Sequence, residues 1–376
     1  MGFVAFRDGL VTAGMIVNIV LPGAPTEPTG GYAVQYELAD RLASIGDRPT
    51  ILHPWSIDRP PWNRSPMCAA SVLRATLSRR RLVPWHRFHP NVRVRLVPWL
   101  SPAFLPKADV TILTAYQTSA VLYSPTKRSG PLVQVVYDYE FWAGGDDATR
   151  RKIEQALRSN DIRHIAGSTA VRRMLDDIGV PVVATVPPGI DTDRFYCRTP
   201  PSDRPPTVGF AYRIQAYKGM ADLMPALAQV HEQWPDVVIR CFGKTDGGVM
   251  PSWVESLGYI DDDELRNFYN WCAIFVLPSH YEGWGLPAAE AMACGAAVVT
   301  TNSGGTADFA VHERNALVVE PRCSDALSLA IIRLLEDPNL RYRLATAASG
   351  AATEMTWEAT ASATRAILKS AVAGNL

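Results

Sequence analysis

The chain has 376 residues, which is too long for one ordinary hydrophobic core and fits two domains of roughly 150–200 residues. Lysine plus arginine equals aspartate plus glutamate, at 37 residues each, so the overall charge does not favour a nucleic-acid-binding protein. No window of about 18 apolar residues occurs, and residues 1–14 lack the regions of a signal peptide, so we expect neither a membrane-spanning nor a secreted protein.

The cysteines are dispersed along the chain and form no CxxC pair. They are Cys68, Cys197, Cys241, Cys272, Cys294 and Cys323. Most of them lie in apolar segments, which is typical of reduced, buried thiols rather than of disulfides or a zinc site. The sequence therefore predicts a cytoplasmic protein.

Short β-branched segments alternate with longer amphipathic segments in the first half of the chain, which predicts an α/β domain with a parallel sheet covered by helices on both faces. The strands expected there are residues 16–21, 49–53, 92–96, 110–114, 132–137 and 164–166. Between the first two strands, Val34, Leu38, Leu42 and Ile45 recur at helical spacing, and Gly46 is suited to the end of that helix.

A second series of the same kind begins near residue 207. Its expected elements are strands at 207–212, 236–243, 273–278 and 296–301 and helices at 219–234, 262–271, 287–293, 324–336 and 357–372, with Ser324 as an N-cap. The proline-rich residues 198–206 are interpreted as a linker. We therefore expect Rossmann-like domains at 15–197 and 207–356, followed by a helical segment at 357–376.

Two doubly wound domains imply a cleft between them, and in such sheets ligands bind beyond the carboxyl ends of the strands. The segment SHYEGWGLPAAEAMACG, residues 279–295, follows a predicted strand there. Glu282 lies in its loop and Glu290 in the first turn of its helix, while the amides near Gly285 and Leu286 lie at the helix N-terminus, which favours a phosphate. Two such carboxylates are suited to the hydroxyls of two sugar rings; a loop glutamate and a helix-dipole glutamate without a ligand remain the alternative.

The same segment contains GWGLPA, which satisfies the GxGxxA pattern of dinucleotide-binding proteins, with Asp308 about 20 residues further on. The first glycine of that fingerprint normally follows its strand directly. Here Pro278 and further residues separate Gly283 from the strand, so we do not favour a dehydrogenase.

Two cations follow the first strand of the second series. Arg213 and Lys218 are five residues apart, and together they are suited to clamping a diphosphate, Arg213 through its forked guanidinium and Lys218 as a point charge. Two solvated surface charges are the alternative. No P-loop motif occurs.

In the first half, Gly30 and Gly31 lie between the first strand and its helix, where the backbone either approaches a ligand closely or forms a plain turn.

Taken together, these segments resemble the retaining GT-B glycosyltransferases of family 4. The resemblance rests on STAVRRML, on VPPGIDTDRF, on the R-x4-K after VGFAY and on LPSHYEGWGLPAAEAMACGAAVVTTNSGGTADF, and it extends from about residue 16 to the last helix. It implies a GT-B architecture with two Rossmann-like domains facing across a cleft, and a last helix that crosses back onto the first domain.

The resemblance also implies roles for the site residues. Glu290 would bind the ribose of a nucleotide-sugar donor, Glu282 the transferred sugar, and Arg213 with Lys218 the departing diphosphate. Arg213, Lys218 and Glu282 are the predicted catalytic residues. The amides near Gly285 and Leu286 would assist the cations, and residues around Phe242, Gly243, Tyr259 and Ile260 would border the base. We also predict that Gly283, Gly30 and Gly31 belong to the donor-binding residues. Because the cations neutralise the diphosphate, no metal ion and no cofactor is expected.

One position departs from the family. Many relatives carry a histidine near the donor sugar, after the strand at 132–137, whereas this chain offers Asp138, Tyr139 and Glu140. A front-face mechanism, in which the leaving phosphate takes the acceptor proton, does not need that histidine. Asp138 is our choice for a polar contact to donor or acceptor; a turn-capping role is the alternative.

A basic block covers residues 79–100 and combines six arginines with Trp85 and Trp99. This composition is suited to an anionic membrane surface or an anionic lipid-linked acceptor, with a solvated loop as the alternative.

The sequence thus predicts a cytoplasmic glycosyltransferase, with peripheral contact at the inner membrane face, that moves a sugar from a nucleoside diphosphate sugar to a glycan or lipid-linked hydroxyl. The segment TGGYAVQYELADRLASIG is similar to rhamnosyltransferases of surface-polysaccharide synthesis. Two alternatives stay open, a GT-B sugar epimerase and a non-catalytic nucleotide-sugar-binding subunit.

Overall fold

The structure is a computed structural model and describes residues 14–25, 29–57, 82–138, 146–244 and 250–376. Its first sheet has seven strands in the order β3-β2-β1-β4-β5-β6-β7. They are β1 (Ile16–Val20), β2 (Arg48–Pro54), β3 (Arg93–Val97), β4 (Val110–Leu113), β5 (Leu132–Val136), β6 (Ile162–Ala166) and β7 (Val182–Thr185). Strand β1 pairs in parallel with both β2 and β4, so the strand order reverses between β1 and β4.

The second sheet has six strands in the order β10-β9-β8-β11-β12-β13. They are β8 (Thr207–Ala211), β9 (Val238–Phe242), β10 (Val254–Ser256), β11 (Ile274–Leu277), β12 (Ala297–Thr301) and β13 (Ala316–Val319). Neighbouring strands are parallel, and the order reverses between β8 and β11. The loops that follow β8 and β11 therefore lie side by side, where ligands bind in doubly wound sheets.

The helices alternate with these strands, as the sequence predicted. They are α1 (Gly30–Ser44), α2 (Tyr116–Val121), α3 (Asp147–Leu157), α4 (Thr169–Asp177), α5 (Met220–Gln233), α6 (Asp262–Trp271), α7 (Leu286–Ala293), α8 (Ser324–Glu336), α9 (Pro338–Ala352) and α10 (Trp357–Val372). The sequence prediction missed α2, α3, α4, α9, β7, β10 and β13. It also made Ser324 an N-cap, which is wrong, because Ser324 is the first helical residue and Cys323 precedes it without a side-chain cap.

Apolar side chains cover both faces of the second sheet. In β11, Ile274 and Val276 belong to a cluster with Leu223 of α5, whereas Phe275 and Leu277 belong to a cluster on the side of α7. A strand that is buried on both faces consists of consecutive apolar residues in the sequence, which is why β11 was easy to predict. No helix in the described part of the chain is long and apolar enough to cross a bilayer.

The predicted linker, residues 198–206, is held against the ends of α6 and α7 by the side chain of Arg204. Arg204 is 4% exposed. Its guanidinium donates to the carbonyl oxygens of Cys272, at 2.8 Å, and Cys294, at 2.5 Å, which are the C-caps of α6 and α7. A cation at a helix C-terminus is favourable because it meets unpaired carbonyl groups.

The chain divides into two compact units. One comprises Met1–Val135, Arg151–His164 and Ala361–Leu376, and the other comprises Val136–Arg150 and Ile165–Thr360. In the first unit, Arg365 of α10 donates to both carboxylate oxygens of Asp47, at 2.8 and 3.0 Å. Asp47 is fully buried and also accepts from the backbone N–H of Met15. This ion pair ties α10 to the start of β2.

We expect Arg365→Ala to lower the free energy of unfolding by about 3 kcal/mol, because it leaves the Asp47 carboxylate buried without its cation. Urea unfolding measures the change. The matched control is Arg333→Ala, which breaks a half-exposed pair with Glu313 and should cost much less, because solvent screens such a pair. Equal losses in the two variants would contradict the prediction.

Candidate functional site

Glu282 is held in a fixed position in the loop between β11 and α7. The residue is 7% exposed. Its carboxylate accepts hydrogen bonds from Lys218 Nζ at 2.7 Å and from Ser279 Oγ at 2.6 Å. Its backbone N–H donates to Ser303, and its carbonyl accepts from Gly305. The structure thus brings together two of the predicted catalytic residues, Glu282 and Lys218, which are far apart in the sequence.

Glycines shape the loop between Glu282 and α7. A Cβ on Gly283 would collide with the carbonyl oxygen of Tyr137, so this position needs a close backbone approach. Gly285 has φ +100° and precedes α7 without a side-chain cap, and Leu286 is the first helical residue. The sequence placed the helix start at Pro287, one residue later. The end of α7 that favours an anion therefore carries no side-chain cap from Gly285.

Glu290 lies further into α7 than predicted, as its fifth residue rather than in its first turn. It is half-buried, and its carboxylate accepts a hydrogen bond of 2.9 Å from the phenol of Tyr269. Burial raises the pKa of Glu290 to about 7, although the Tyr269 hydrogen bond and the charges of Arg194 and Arg213 act in the opposite direction. Its carboxyl group therefore changes charge near neutral pH.

Arg213 and Lys218 act on different carboxylates. Lys218 is bonded to Glu282 and its side chain is 23% exposed. Arg213 is exposed, donates to the carbonyl of Tyr212 at 2.9 Å and lies 5.6 Å from the centroid of the Phe242 ring. Its positive charge acts on Glu290. Each predicted cation thus accompanies one predicted carboxylate.

Of the residues predicted to border a nucleobase, Phe242 lies beside Arg213, and Ile260 packs against the apolar cluster that contains Phe242. Phe242 is 7% exposed, Ile260 is partly buried and Tyr259 is 67% exposed. Gly243, at φ +115°, donates to the carbonyl of Gly258 and brings the loops after β9 and β10 together. Sequence reasoning missed Ile214, which is 62% exposed next to Arg213 in the sequence.

Asp138 lies close to the Glu282 loop. Burial, followed by the charges of Asp138 and Glu282, raises the pKa of Tyr217 to about 12, so both carboxylates act on this phenol. Sequence reasoning missed Tyr217, although it is adjacent to Lys218 and its ring lies 5.0 Å from Lys218 Nζ. The other candidates at this position, Tyr139 and Glu140, lie outside the described residues.

Gly30 and Gly31 are not in a loop, as the sequence suggested, but form the first two residues of α1. Both are exposed, and a Cβ on either would meet open space. They belong to the first compact unit, whereas Glu282, Glu290, Arg213 and Lys218 belong to the second. Their assignment to the donor site stays a prediction.

The basic block is only partly described, because residues 79–81 lie outside the described residues. Trp85 is partly buried, with its ring 5.3 Å from that of Tyr36, so it packs inside the first unit. The exposed cations of the described part are Arg87, Arg93 and Arg95. Two of them lie on β3, an edge strand, where charges discourage pairing with other chains.

No group of three or more histidine, cysteine or acidic residues suited to a metal ion occurs in the part of the chain that the structure describes. The absence of a metal from the reaction stays a prediction.

Residues 197–350 match the family described as "Glycosyl transferases group 1". This segment contains Arg213, Lys218, Glu282 and Glu290. It also spans the whole second sheet, from β8 to β13. Curated relatives agree: a glycogen synthase of Mycobacterium tuberculosis is 28% identical over 211 residues, and O-antigen chain mannosyltransferase B of Escherichia coli is 35% identical over 134 residues.

These matches are partial. The first spans 52% of this chain and 50% of the glycogen synthase, and the second spans 36% and 34%. The chain therefore covers about half, or less, of the length of these relatives.

Solved structures extend the similarity to nearly the whole chain. Sucrose-phosphate synthase from Thermosynechococcus elongatus matches with a TM-score of 0.75 at 17% identity. The match covers 96% of this chain and 100% of the synthase chain. Anabaena HepE in complex with UDP-glucose has a TM-score of 0.73 at 17% identity and covers 95% and 100%. At this identity the similarity concerns the fold alone, and it confirms the predicted GT-B architecture.

The raised pKa of Glu290 leads to a test by protein stability. An unfolded glutamate ionises near 4.5 and folded Glu290 near 7, so a rise in pH through this range ionises the unfolded chain first. The free energy of unfolding should fall by on the order of 3 kcal/mol between these pH values. Glu290→Gln should therefore be more stable than the unmodified chain at pH 8 but not at pH 4.

Urea unfolding across this pH range measures the difference between the two proteins. The control is Glu232→Gln, which replaces an exposed glutamate of α5 and should show no such trend. A difference that stays constant with pH would show that Glu290 ionises like an ordinary glutamate.

Proposed function

We propose that this chain is a glycosyltransferase that moves a sugar from a nucleoside diphosphate sugar to a hydroxyl acceptor, with retention of the anomeric configuration. The observation that carries the proposal is the Lys218–Glu282 pair in the loop before α7, inside the segment that matches the group 1 family. HepE, a structural relative, was solved with UDP-glucose, which supports a donor of this class.

The diphosphate would bind where positive charge is available. Lys218, Arg213 and the first turn of α7 supply a point charge, a forked guanidinium and a helix N-terminus. When the bond between sugar and phosphate breaks, negative charge develops on the diphosphate. Fixed positive groups then stabilise the transition state more than the bound donor, which is the condition for catalysis. The proposal needs no metal ion, because these groups carry the charge.

The two glutamates would hold the two ends of the donor. Glu282 would accept hydrogen bonds from hydroxyls of the transferred sugar, because its carboxylate adjoins Lys218. Glu290 would accept from the ribose hydroxyls, with the base near Phe242, Tyr259 and Ile260. Ile214, which is exposed and follows Arg213 in the sequence, would add an apolar side chain there.

In a front-face reaction the bond from the sugar C1 to the phosphate oxygen breaks while C1 bonds to the acceptor oxygen on the same face. The acceptor proton passes to the leaving phosphate oxygen, so no protein base is required. Asp138 would orient the sugar or the acceptor. The phenol of Tyr217 would stay protonated, because its pKa is raised to about 12, and is suited to donating a hydrogen bond.

The finer parts of the proposal concern donor, acceptor and location. We propose a rhamnosyl donor, because residues 29–46 resemble rhamnosyltransferases, and a glycan or lipid-linked acceptor. Arg87, Arg93 and Arg95 are exposed cations that would attract an anionic lipid surface, which supports peripheral membrane contact.

Removal of either partner of the central pair should abolish most activity. We expect Lys218→Ala and Glu282→Ala each to lower kcat by about 100-fold, because each removes a group that acts on the reacting centre. Release of nucleoside diphosphate from the donor measures turnover. The controls are Lys369→Ala and Glu336→Ala, which remove exposed charges elsewhere. Full activity in both site variants would show that the site is misassigned.

A donor panel separates the proposal from its alternatives. We expect dTDP-rhamnose to raise the melting temperature more than UDP-glucose or GDP-mannose, because a ligand that binds the folded state stabilises it. A larger shift with another donor would overturn the rhamnosyl part alone. If donors stabilise the protein but are not turned over, the chain is a non-catalytic binding subunit. If the donor is converted to an isomeric sugar without an acceptor, the chain is an epimerase.

A further inference from the structure

His280 connects the loop of Glu282 to the loop of Lys218. It lies two residues before Glu282. Its backbone N–H donates to the carbonyl of Tyr217 at 2.7 Å, and its Nε2 lies 2.5 Å from a carboxylate oxygen of Asp222. Tyr217 immediately precedes Lys218, and Asp222 follows it by four residues. His280 therefore contacts the Lys218 loop on both sides of the lysine.

The two loops also approach each other closely through their backbones. Lys218 ends a 3₁₀ turn, Ala216–Lys218, and Gly219 follows at φ +71°. A Cβ on Gly219 would collide with the carbonyl oxygen of Pro278, the residue that follows β11. The left-handed glycine thus permits the approach, but a backbone contact alone does not fix the direction of the Lys218 side chain.

The side chains of Asp222 and His280 are 19% and 18% exposed, so their pair is partly screened from water. Such a pair is stronger than one between fully exposed side chains. Asp222 lies in the first turn of α5, where a carboxylate is favourable in any case. A role limited to helix stability is therefore the competing explanation, and the test has to separate it from a role at Lys218.

We propose that His280 and Asp222 form a positioning pair that sets Lys218 Nζ against Glu282. The inference rests on the proposed function, because the position of Lys218 matters for the charge that develops on a leaving diphosphate. The pair would act through Lys218 and not through a contact of its own with the donor. Its loss would leave the Glu290 end of the site intact and displace the ammonium from its place beside the reacting bond.

This difference predicts a specific kinetic pattern. A group that acts mainly in the transition state changes kcat, whereas a group that binds substrate uniformly changes KM. We expect His280→Ala and Asp222→Ala each to lower kcat by about tenfold with little change in the donor KM, because small misplacement of a catalytic group is costly. The double variant should lose no more than either single variant, since both remove one interaction.

A chemical measurement tests the pair without any donor. Acetic anhydride modifies lysine amines, and peptide mass spectrometry reports the rate at Lys218, with exposed Lys369 as the internal reference. We expect the rate at Lys218 to rise several-fold in His280→Ala, Asp222→Ala and Glu282→Gln. His280→Gln, which retains a side-chain N–H at the place of Nε2, should restore the slow rate. Glu232→Ala, which removes another acidic residue of α5, should not change it.

The two measurements separate failure of this inference from failure of the proposed function. Turnover is measured as nucleoside diphosphate release from dTDP-rhamnose, UDP-glucose and GDP-mannose. If Lys218→Ala abolishes release while His280→Ala changes neither release nor labelling, the positioning pair is wrong and the function stands. If no donor is turned over but labelling rises as expected, the function is wrong and the pair stands. Unchanged labelling in both alanine variants overturns the inference in every case.

Discussion

The hydrogen-bonded ion pair between Lys218 and Glu282, at 2.7 Å, is the interaction around which the candidate site is arranged. Glu282 is buried, and a buried carboxylate destabilises the folded state unless it is paired and hydrogen-bonded. Lys218 and Ser279 supply those partners. If a nucleotide-sugar donor binds here as proposed, its phosphate oxygens would compete for the lysine and its sugar hydroxyls for the carboxylate. The pair would then keep both groups oriented before the donor arrives.

The sheet topology explains why residues 64 positions apart can form this pair. Strands β8 and β11 are neighbours at the point where the strand order reverses, and their carboxyl ends carry the loops of Lys218 and Glu282. Parallel strands place those ends on the same edge of the sheet. Close packing of the two loops then depends on Gly219, where any side chain would collide with the carbonyl oxygen of Pro278. The ion pair is thus a consequence of strand order and of this glycine.

Sequence reasoning was accurate where a local pattern decides the outcome. Helix α6 has the predicted bounds, because Asp261 and Glu264 form a capping box that marks its start. It failed where distant contacts decide, as for β10, whose three residues give no periodic pattern and pair only with β9. The same holds in the site. Loop patterns identified Glu282 and Lys218, but nothing local connects Tyr269 to Glu290 or His280 to Asp222.

The environments of the two glutamates differ in a way that their spacing does not show. Glu282 adjoins an ammonium group, whereas Glu290 adjoins a phenol, and burial raises the pKa of Glu290 to about 7. A carboxylate accepts hydrogen bonds from a pair of hydroxyls, whereas a protonated carboxyl group gives up part of that capacity. A fall in pH from 8 to 6 would therefore weaken the Glu290 end of the site. If Glu290 holds the ribose, acid weakens donor binding through the nucleoside rather than through the transferred sugar.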